Sequence, residues 1–200
     1  MSRRTILSTD RLTVTAWLPD DFDDLLALHS DPLTMRFIGY SRPDTHGEAR
    51  SRLAGYLDEQ QSRGWTKWRV ENRDGEMIGR AGFGEVGGCR ELAYAFRRDQ
   101  WGRGFATEIA GALTGWHLEH PAPELSSDGL CAHVEVGNHA SVRVLEKVRF
   151  EYVDTRVYMG VDCDLFRFSA AADLRASLSV SLNDDATGTA SFTEVKGVRQ

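Results

Sequence analysis

The stretch Arg98-Asp-Gln-Trp-Gly-Arg-Gly-Phe-Ala-Thr-Glu108 constrains the fold more than any other part of the chain. Before it, Glu91-Leu-Ala-Tyr-Ala-Phe96 alternates and carries aromatics, as a strand does. After it, Phe105, Ile109, Leu113 and Trp116 recur on one face of a helix. Between them, Gly102 and Gly104 permit backbone angles closed to other residues and let a ligand approach closely. A glycine turn feeding a helix start aims free N–H groups and the positive end of the helix dipole at one point. Such a point is an anion site, most simply for phosphate.

Two familiar phosphate loops do not fit. A dinucleotide-binding loop needs a third glycine where Thr107 and Glu108 stand, and a P-loop needs Gly-Lys-Ser/Thr, which the chain lacks. Two hundred residues suit one domain with a full core, and 41% apolar with 27% charged residues is a globular balance. No apolar run reaches membrane-span length and Met-Ser-Arg-Arg-Thr leads into no signal-like segment, so no membrane association is expected. Cys89, Cys131 and Cys163 are odd in number and widely spaced with no Cys-x-x-Cys pair, which argues against a disulfide scaffold or a zinc site and for a reducing cytoplasm. A net charge of −6 disfavours nucleic acid and leans toward a cationic partner.

In order, Thr9–Trp17 alternates as a first strand, and Pro19-Asp-Asp opens a helix with Phe22, Leu25, Leu26 and Leu28 as its buried stripe. Asp31-Pro32 breaks the chain before the short apolar piece Leu33–Ile38. Thr45-His-Gly-Glu48 is a capping box for a helix running toward Gly64. Trp65–Glu71 and Met77–Phe83 flank an Asp-Gly hairpin turn, and Glu85–Arg90 is a loop. After the loop helix come a strand at Leu130–Val136, a helix from Asn138 through Val142, Leu145 and Val148, and a closing hairpin, Tyr152–Met159 with Asp164–Phe168. Composition shifts to Ser, Thr, Ala, Asp and Gly near Ala171. The expected layout is therefore a domain over 1–170 and an extension over 171–200, an edge strand or a disordered tail.

Trp101-Gly-Arg-Gly-Phe-Ala-Thr-Glu108 resembles the pyrophosphate loop of the GNAT superfamily, acetyl-CoA-dependent N-acetyltransferases, closest to the branch acting on ribosomal-protein N-termini. The resemblance covers roughly Thr9 to Ala170. It includes Thr9-Asp-Arg-Leu, the Asp31–Gly39 segment, and Asn138-His-Ala-Ser leading to Phe150. It implies an α+β fold, a mostly antiparallel central sheet with helices on both faces and a splayed cofactor cleft. Arg149 departs by replacing the usual glycine at the end of the last helix, and Ala16-Trp17 replaces an Arg-Pro.

What the resemblance implies for the site follows by position. Ala95 and Phe96 hold the pantetheine through their backbone, and Trp101, Gly102, Arg103, Gly104, Phe105 and Ala106 hold the pyrophosphate. Asn138 bonds the pantetheine arm and Arg143 reaches an outer phosphate. Ser141 serves the departing thiolate, and His133 is a candidate general base, with Glu91, Glu135 or water as rivals. The acceptor is a primary amine: a peptide N-terminus, an aminoglycoside or a polyamine. No metal is called for, and the assembly is a monomer or a homodimer. A non-catalytic acyl-CoA-binding or protein-interaction module on the same fold is the alternative.

Overall fold

Residues 3–39, 41–125 and 129–168 are described by the computed structural model. The expected 171–200 extension lies outside them. The chain opens not with one strand but with two, β1 (Thr5–Ser8) and β2 (Leu12–Thr15), joined at Thr9–Arg11. The alternating pattern read from Thr9 spans a turn, because Thr9 Oγ1 accepts from Leu12 N at 3.1 Å and halts strand pairing there. A 3-10 turn at Pro19–Asp21 leads into α1 (Phe22–Ser30), where Leu25 and Leu28 are buried. The capping box starts α2 (His46–Ser62) as expected: Glu48 N donates to Thr45 Oγ1 at 3.2 Å, and Thr45 N to Glu48 Oε2 at 2.7 Å.

β3 (Lys67–Asn72) and β4 (Met77–Val86) form the central hairpin. Its turn is set by Asn72 Oδ1, which accepts from Asp74 N and Glu76 N at 3.0 Å. The expected loop at Glu85–Arg90 contracts to Gly87 and Gly88, both left-handed (φ 56° and 77°), so β5 (Cys89–Phe96) starts earlier than the alternation indicated. Then follow α3 (Phe105–Glu119), β6 (Leu130–Glu135) and α4 (His139–Lys147). The chain closes with β7 (Phe150–Tyr158) and β8 (Val161–Phe168), joined by Met159 and Gly160, both left-handed. Arg149 takes φ 66°, so the position before Phe150 does demand a left-handed residue and arginine adopts it.

The eight strands form one sheet in the order β1-β2-β3-β4-β5-β6-β8-β7, antiparallel except for β5 with β6. Helices cover both faces. Phe105, Ile109, Leu113 and Leu145 of α3 and α4 join a large core with Val70, Phe83 and Leu130, while α1 and α2 bury Leu25, Leu28, Leu53 and Tyr56 with Trp17 and Met77 in a second cluster. Arg90 lies inside the first core, its guanidinium 5.2 Å from the rings of Trp65 and Trp116 and donating to the His120 carbonyl.

Candidate active site

The parallel junction is the feature that makes a cleft. β5 pairs β6 only at Arg90 with Leu130 and Glu91 with Cys131. Beyond Glu91 the strands part. β5 stays paired to β4 as far as Phe96, and β6 to β8 as far as Glu135. Among the described residues no other strand fills the gap between the edges Leu92–Phe96 and Ala132–Glu135. Its backbone groups, apart from the Phe96 carbonyl bonded by the Trp101 indole and the Glu135 carbonyl bonded by Asn138 N, are those an extended ligand would meet.

The glycine loop stands at the wide end of that gap. Gly102 (φ 73°) and Gly104 (φ 80°) are left-handed, and a Cβ at Gly102 would meet nothing within 4 Å, so backbone angle rather than crowding calls for glycine. Gly104 is the N-cap of α3, and the first intrahelical bond there runs from Glu108 N to Gly104 O at 3.1 Å. The N–H groups of Phe105, Ala106 and Thr107 precede it without intrahelical acceptors. Glu108 would oppose an anion at this point, but its carboxylate is turned aside. It accepts from Thr9 Oγ1 at 2.5 Å, Arg11 N at 3.0 Å and Arg11 Nε at 2.6 Å, which together hold its pKa low against the opposing effect of burial. Arg11 also donates to the Arg103 carbonyl at 2.8 Å, pinning the loop to the β1–β2 turn.

Arg103 is exposed, lies 4.8 Å over the Phe105 ring and donates to Gln100 Oε1 at 2.6 Å, with no carboxylate partner among the described residues. Trp101 is 51% exposed, and its indole N–H donates to the Phe96 carbonyl at 2.8 Å. That bond occupies one acceptor site of a group expected to face pantetheine. Asn138 caps α4, its Oδ1 accepting from Ser141 N at 3.2 Å, which leaves its amide N–H₂ as the group a ligand would meet. Arg143 is exposed on α4. These features suit an extended ligand that carries anionic groups: strand edges, a helix start and a cation beside it.

At the narrow end of the gap, His133 and Glu91 meet. His133 Nδ1 lies 2.9 Å from Glu91 Oε1, and its ring stacks on Tyr158, centroids 4.3 Å apart and 18° from parallel. The Glu91 contact at Nδ1 and the Tyr158 ring together fix the orientation of the imidazole. Burial, then Glu91 and the Cys131 and Cys163 thiols, push the Tyr158 hydroxyl up to about 12, so it stays protonated. Glu135, the other rival for the base, accepts instead from Ser41 Oγ at 3.3 Å. Tyr94, which is not among the residues expected from sequence, reaches the start of α4. Its hydroxyl reaches the Ser141 carbonyl at 3.5 Å and burial pushes it up to about 12. An aromatic on the strand feeding the loop was the available signal.

On the side of α1 and α2, the wall is tied by buried charge. His29 Nδ1 donates to Asp44 Oδ2 at 2.8 Å, and Arg52 holds both Asp44 oxygens at 2.8 and 3.0 Å. Arg80 Nε donates to His29 Nε2 at 3.0 Å. Burial first, then Arg80, bring the His29 pKa down to about 3, so it is neutral. A groove of about 630 Å³ opens between α1 and Arg97–Asp99 and is lined by none of the expected site residues. Among the described residues no cluster of His, Cys, Asp and Glu could hold a metal, and no helix is long and apolar enough to cross a membrane.

Known proteins agree with this architecture. The chain is similar to an uncharacterised protein, YkkB, of Bacillus subtilis strain 168, 29% identical over an aligned length of 174, with 78% of this chain and 90% of that one covered. It is also similar to an uncharacterised N-acetyltransferase, p20, of Bacillus licheniformis, 26% identical over an aligned length of 149, with 72% of this chain and 82% of that one covered. A putative GNAT-family acetyltransferase from Bordetella pertussis superposes with TM-score 0.68 at 24% identity, over 84% of this chain and all of that one. RimL, a ribosomal L7/L12 N-terminal acetyltransferase solved with coenzyme A, gives 0.66 at 16% identity over 82% and 97% of the chains. The aminoglycoside acetyltransferase AAC(6')-Ib, solved with paromomycin and acetyl-CoA, gives 0.68 at 19% over 83% and 97%. At such identities the likeness is one of fold, and it does not single out the ribosomal branch. A model of the acetyltransferase (GNAT) domain matches residues 11–151, from the β1–β2 turn to the start of β7, and the chain belongs to that family.

Proposed function

We propose that the protein is an acetyl-CoA-dependent N-acetyltransferase acting on a primary amine, with His133 as general base. The observation that carries this reading is the His133–Glu91 pair, placed where β5 and β6 begin to part. Neighbours of this fold solved with coenzyme A or acetyl-CoA support the choice of acyl donor. Ala95 and Phe96 would flank the pantetheine, the loop from Trp101 to Ala106 with Arg103 would take the pyrophosphate, and Asn138 and Arg143 would hold the arm and an outer phosphate.

In this reading the acceptor amine gives a proton to His133 Nε2, and Glu91 steadies the resulting cation through Nδ1–H. The amine attacks the thioester carbonyl, and the departing thiolate takes a proton near the start of α4. Ser141 Oγ–H would supply that proton and recover one from solvent, while the Tyr94 hydroxyl bonds the Ser141 main-chain carbonyl and steadies the helix start. Neighbours acting on a ribosomal protein terminus and on an aminoglycoside carry the same fold, so both acceptor types are worth offering.

The test is to mix protein, acetyl-CoA and a panel of amines and to follow free thiol. Release above background is expected with at least one amine. His133→Ala should lower that rate by roughly 10²–10⁴-fold with acetyl-CoA binding intact, and should flatten the rising limb of the pH profile. Two acceptors of different amine pKa distinguish enzyme from substrate, since a limb that follows the acceptor belongs to it. Near-normal turnover in His133→Ala with an unchanged profile overturns the base assignment. Binding of acetyl-CoA without thiol release across the panel favours the non-catalytic reading.

A further inference from the structure

Two rungs cross from β5 to β6 on one sheet face. Glu91–His133 is one, and the other, two residues further into the paired end, is Cys89–Cys131 with the sulfurs 2.7 Å apart. Linear spacing hides this pair, since 42 residues separate its members. Both cysteines are buried, Cys89 at 8% and Cys131 at 2% exposure, and they cluster with Leu165. Such contact is far inside the usual separation of two unbonded thiols and needs only about 0.7 Å of closure to reach a disulfide near 2.05 Å. We propose that Cys89 and Cys131 are a redox modification site: hydrogen peroxide converts them to a reversible disulfide that clamps the closed end of the cleft.

The chemistry balances with peroxide as oxidant. The Cys89 thiolate attacks one peroxide oxygen, the O–O bond breaks, and hydroxide leaves, giving a sulfenic acid at Cys89. Cys131 sulfur then displaces water from that sulfenic acid, its own proton leaving with the oxygen, and the S–S bond forms. The two thiols lose two electrons and one peroxide becomes two waters. Cys89 is assigned as the attacking sulfur because it is the more exposed of the two, and the proton shared across the contact holds its thiol below the ordinary range while pushing Cys131 up. Arg167 and His133 face Cys89 and favour the thiolate, and Glu91 opposes them. In the same position the Cys89 thiol also donates to the Val86 carbonyl, 3.1 Å away, a bond that is given up when the thiolate forms. Cys163, buried on β8 opposite Glu135, takes no part.

The test uses the full chain, reduced, then treated with peroxide and quenched. Titration of denatured protein should fall from three free thiols to one, starting from the three cysteines present. Peptide mapping should find the Cys89 and Cys131 peptides joined, two hydrogens lighter than their sum. The oxidised form should melt roughly 5 °C or more above the reduced form, since the link closes a loop of some forty residues, and dithiothreitol should reverse it. Cys163→Ser should behave the same with one fewer thiol, and Cys89→Ser should show neither link nor shift. Three surviving thiols, a link through Cys163 or between chains, a coenzyme A adduct on one cysteine, or a link without a melting shift would each overturn the proposal. None of these readouts requires turnover, so they stand apart from the test of His133.

Discussion

The two sides of the cleft are built by different means. On the side of α3 and α4, recognition is made of backbone: two left-handed glycines, a helix start and an asparagine cap, all within short stretches of chain. On the side of α1 and α2, the wall is held by side chains brought from afar, with Asp44 binding His29 and Arg52, and Arg80 reaching His29 across 51 residues. The first kind of construction leaves marks in sequence order. The second leaves none, because nothing about an arginine in a strand announces which helix it meets.

This contrast predicts that damage on one side changes binding and on the other changes stability. The largest effect should come from Asp44→Ala, which strips Arg52 and His29 of their shared carboxylate. Removing one partner of a buried pair costs about 3–5 kcal/mol, measurable by urea unfolding, while acetyl-CoA affinity in the folded fraction should hardly move. Gly104→Val should act chiefly on binding, with a strain cost to stability besides. It forces a β-branched residue to φ 80° at the start of α3. It should also erase the thermal stabilisation by acetyl-CoA, about 2.7 kcal/mol for native protein at a hundredfold excess over Kd. A retained shift would show that the loop is not the anion site.

A smaller effect is set by pH. The folded pKa of His29 is about 3, below its ordinary 6.5, so the unfolded chain binds the extra proton between those values. Its contribution is fully present above pH 6.5 and is lost as pH falls toward 3. The slope approaches about 1.4 kcal/mol per unit, so moving from pH 6.5 to 5 should cost about 1.5–2 kcal/mol. Asp44, held low chiefly by Arg52 and His29 against burial, adds loss in the same direction at lower pH. Denaturant midpoints for wild type and His29→Asn across this range check it, and the variant should show the flatter limb.

What was legible follows the same division. The capping box at Thr45, the Asp-Gly hairpin, the glycine loop and the Asn138 helix start stand where local chemistry places them. The strand read over Thr9–Trp17 is present as β2, with Leu12, Val14 and the following Ala16 buried. Its first residues instead form a turn held by Leu12 N donating to Thr9 Oγ1, and β1 before them has no alternating burial to announce it. His133 was singled out from its strand alone, but its partnership with Glu91 and Tyr158 arises only when β5, β6 and the last hairpin assemble. Cys89 and Cys131 were invisible as a pair for the same reason.

The clasp between Glu108 and the β1–β2 turn has a practical consequence for anyone handling the protein. Thr9 and Arg11 grip the helix that follows the glycine loop, and Arg11 also holds the loop's own carbonyl at Arg103. The leading hairpin therefore works as a buttress for a loop nearly a hundred residues away. An affinity tag fused close ahead of Arg3, or trimming that reaches β1, pulls on the same joint. Tags for ligand-binding work are safer attached elsewhere or cut away beforehand.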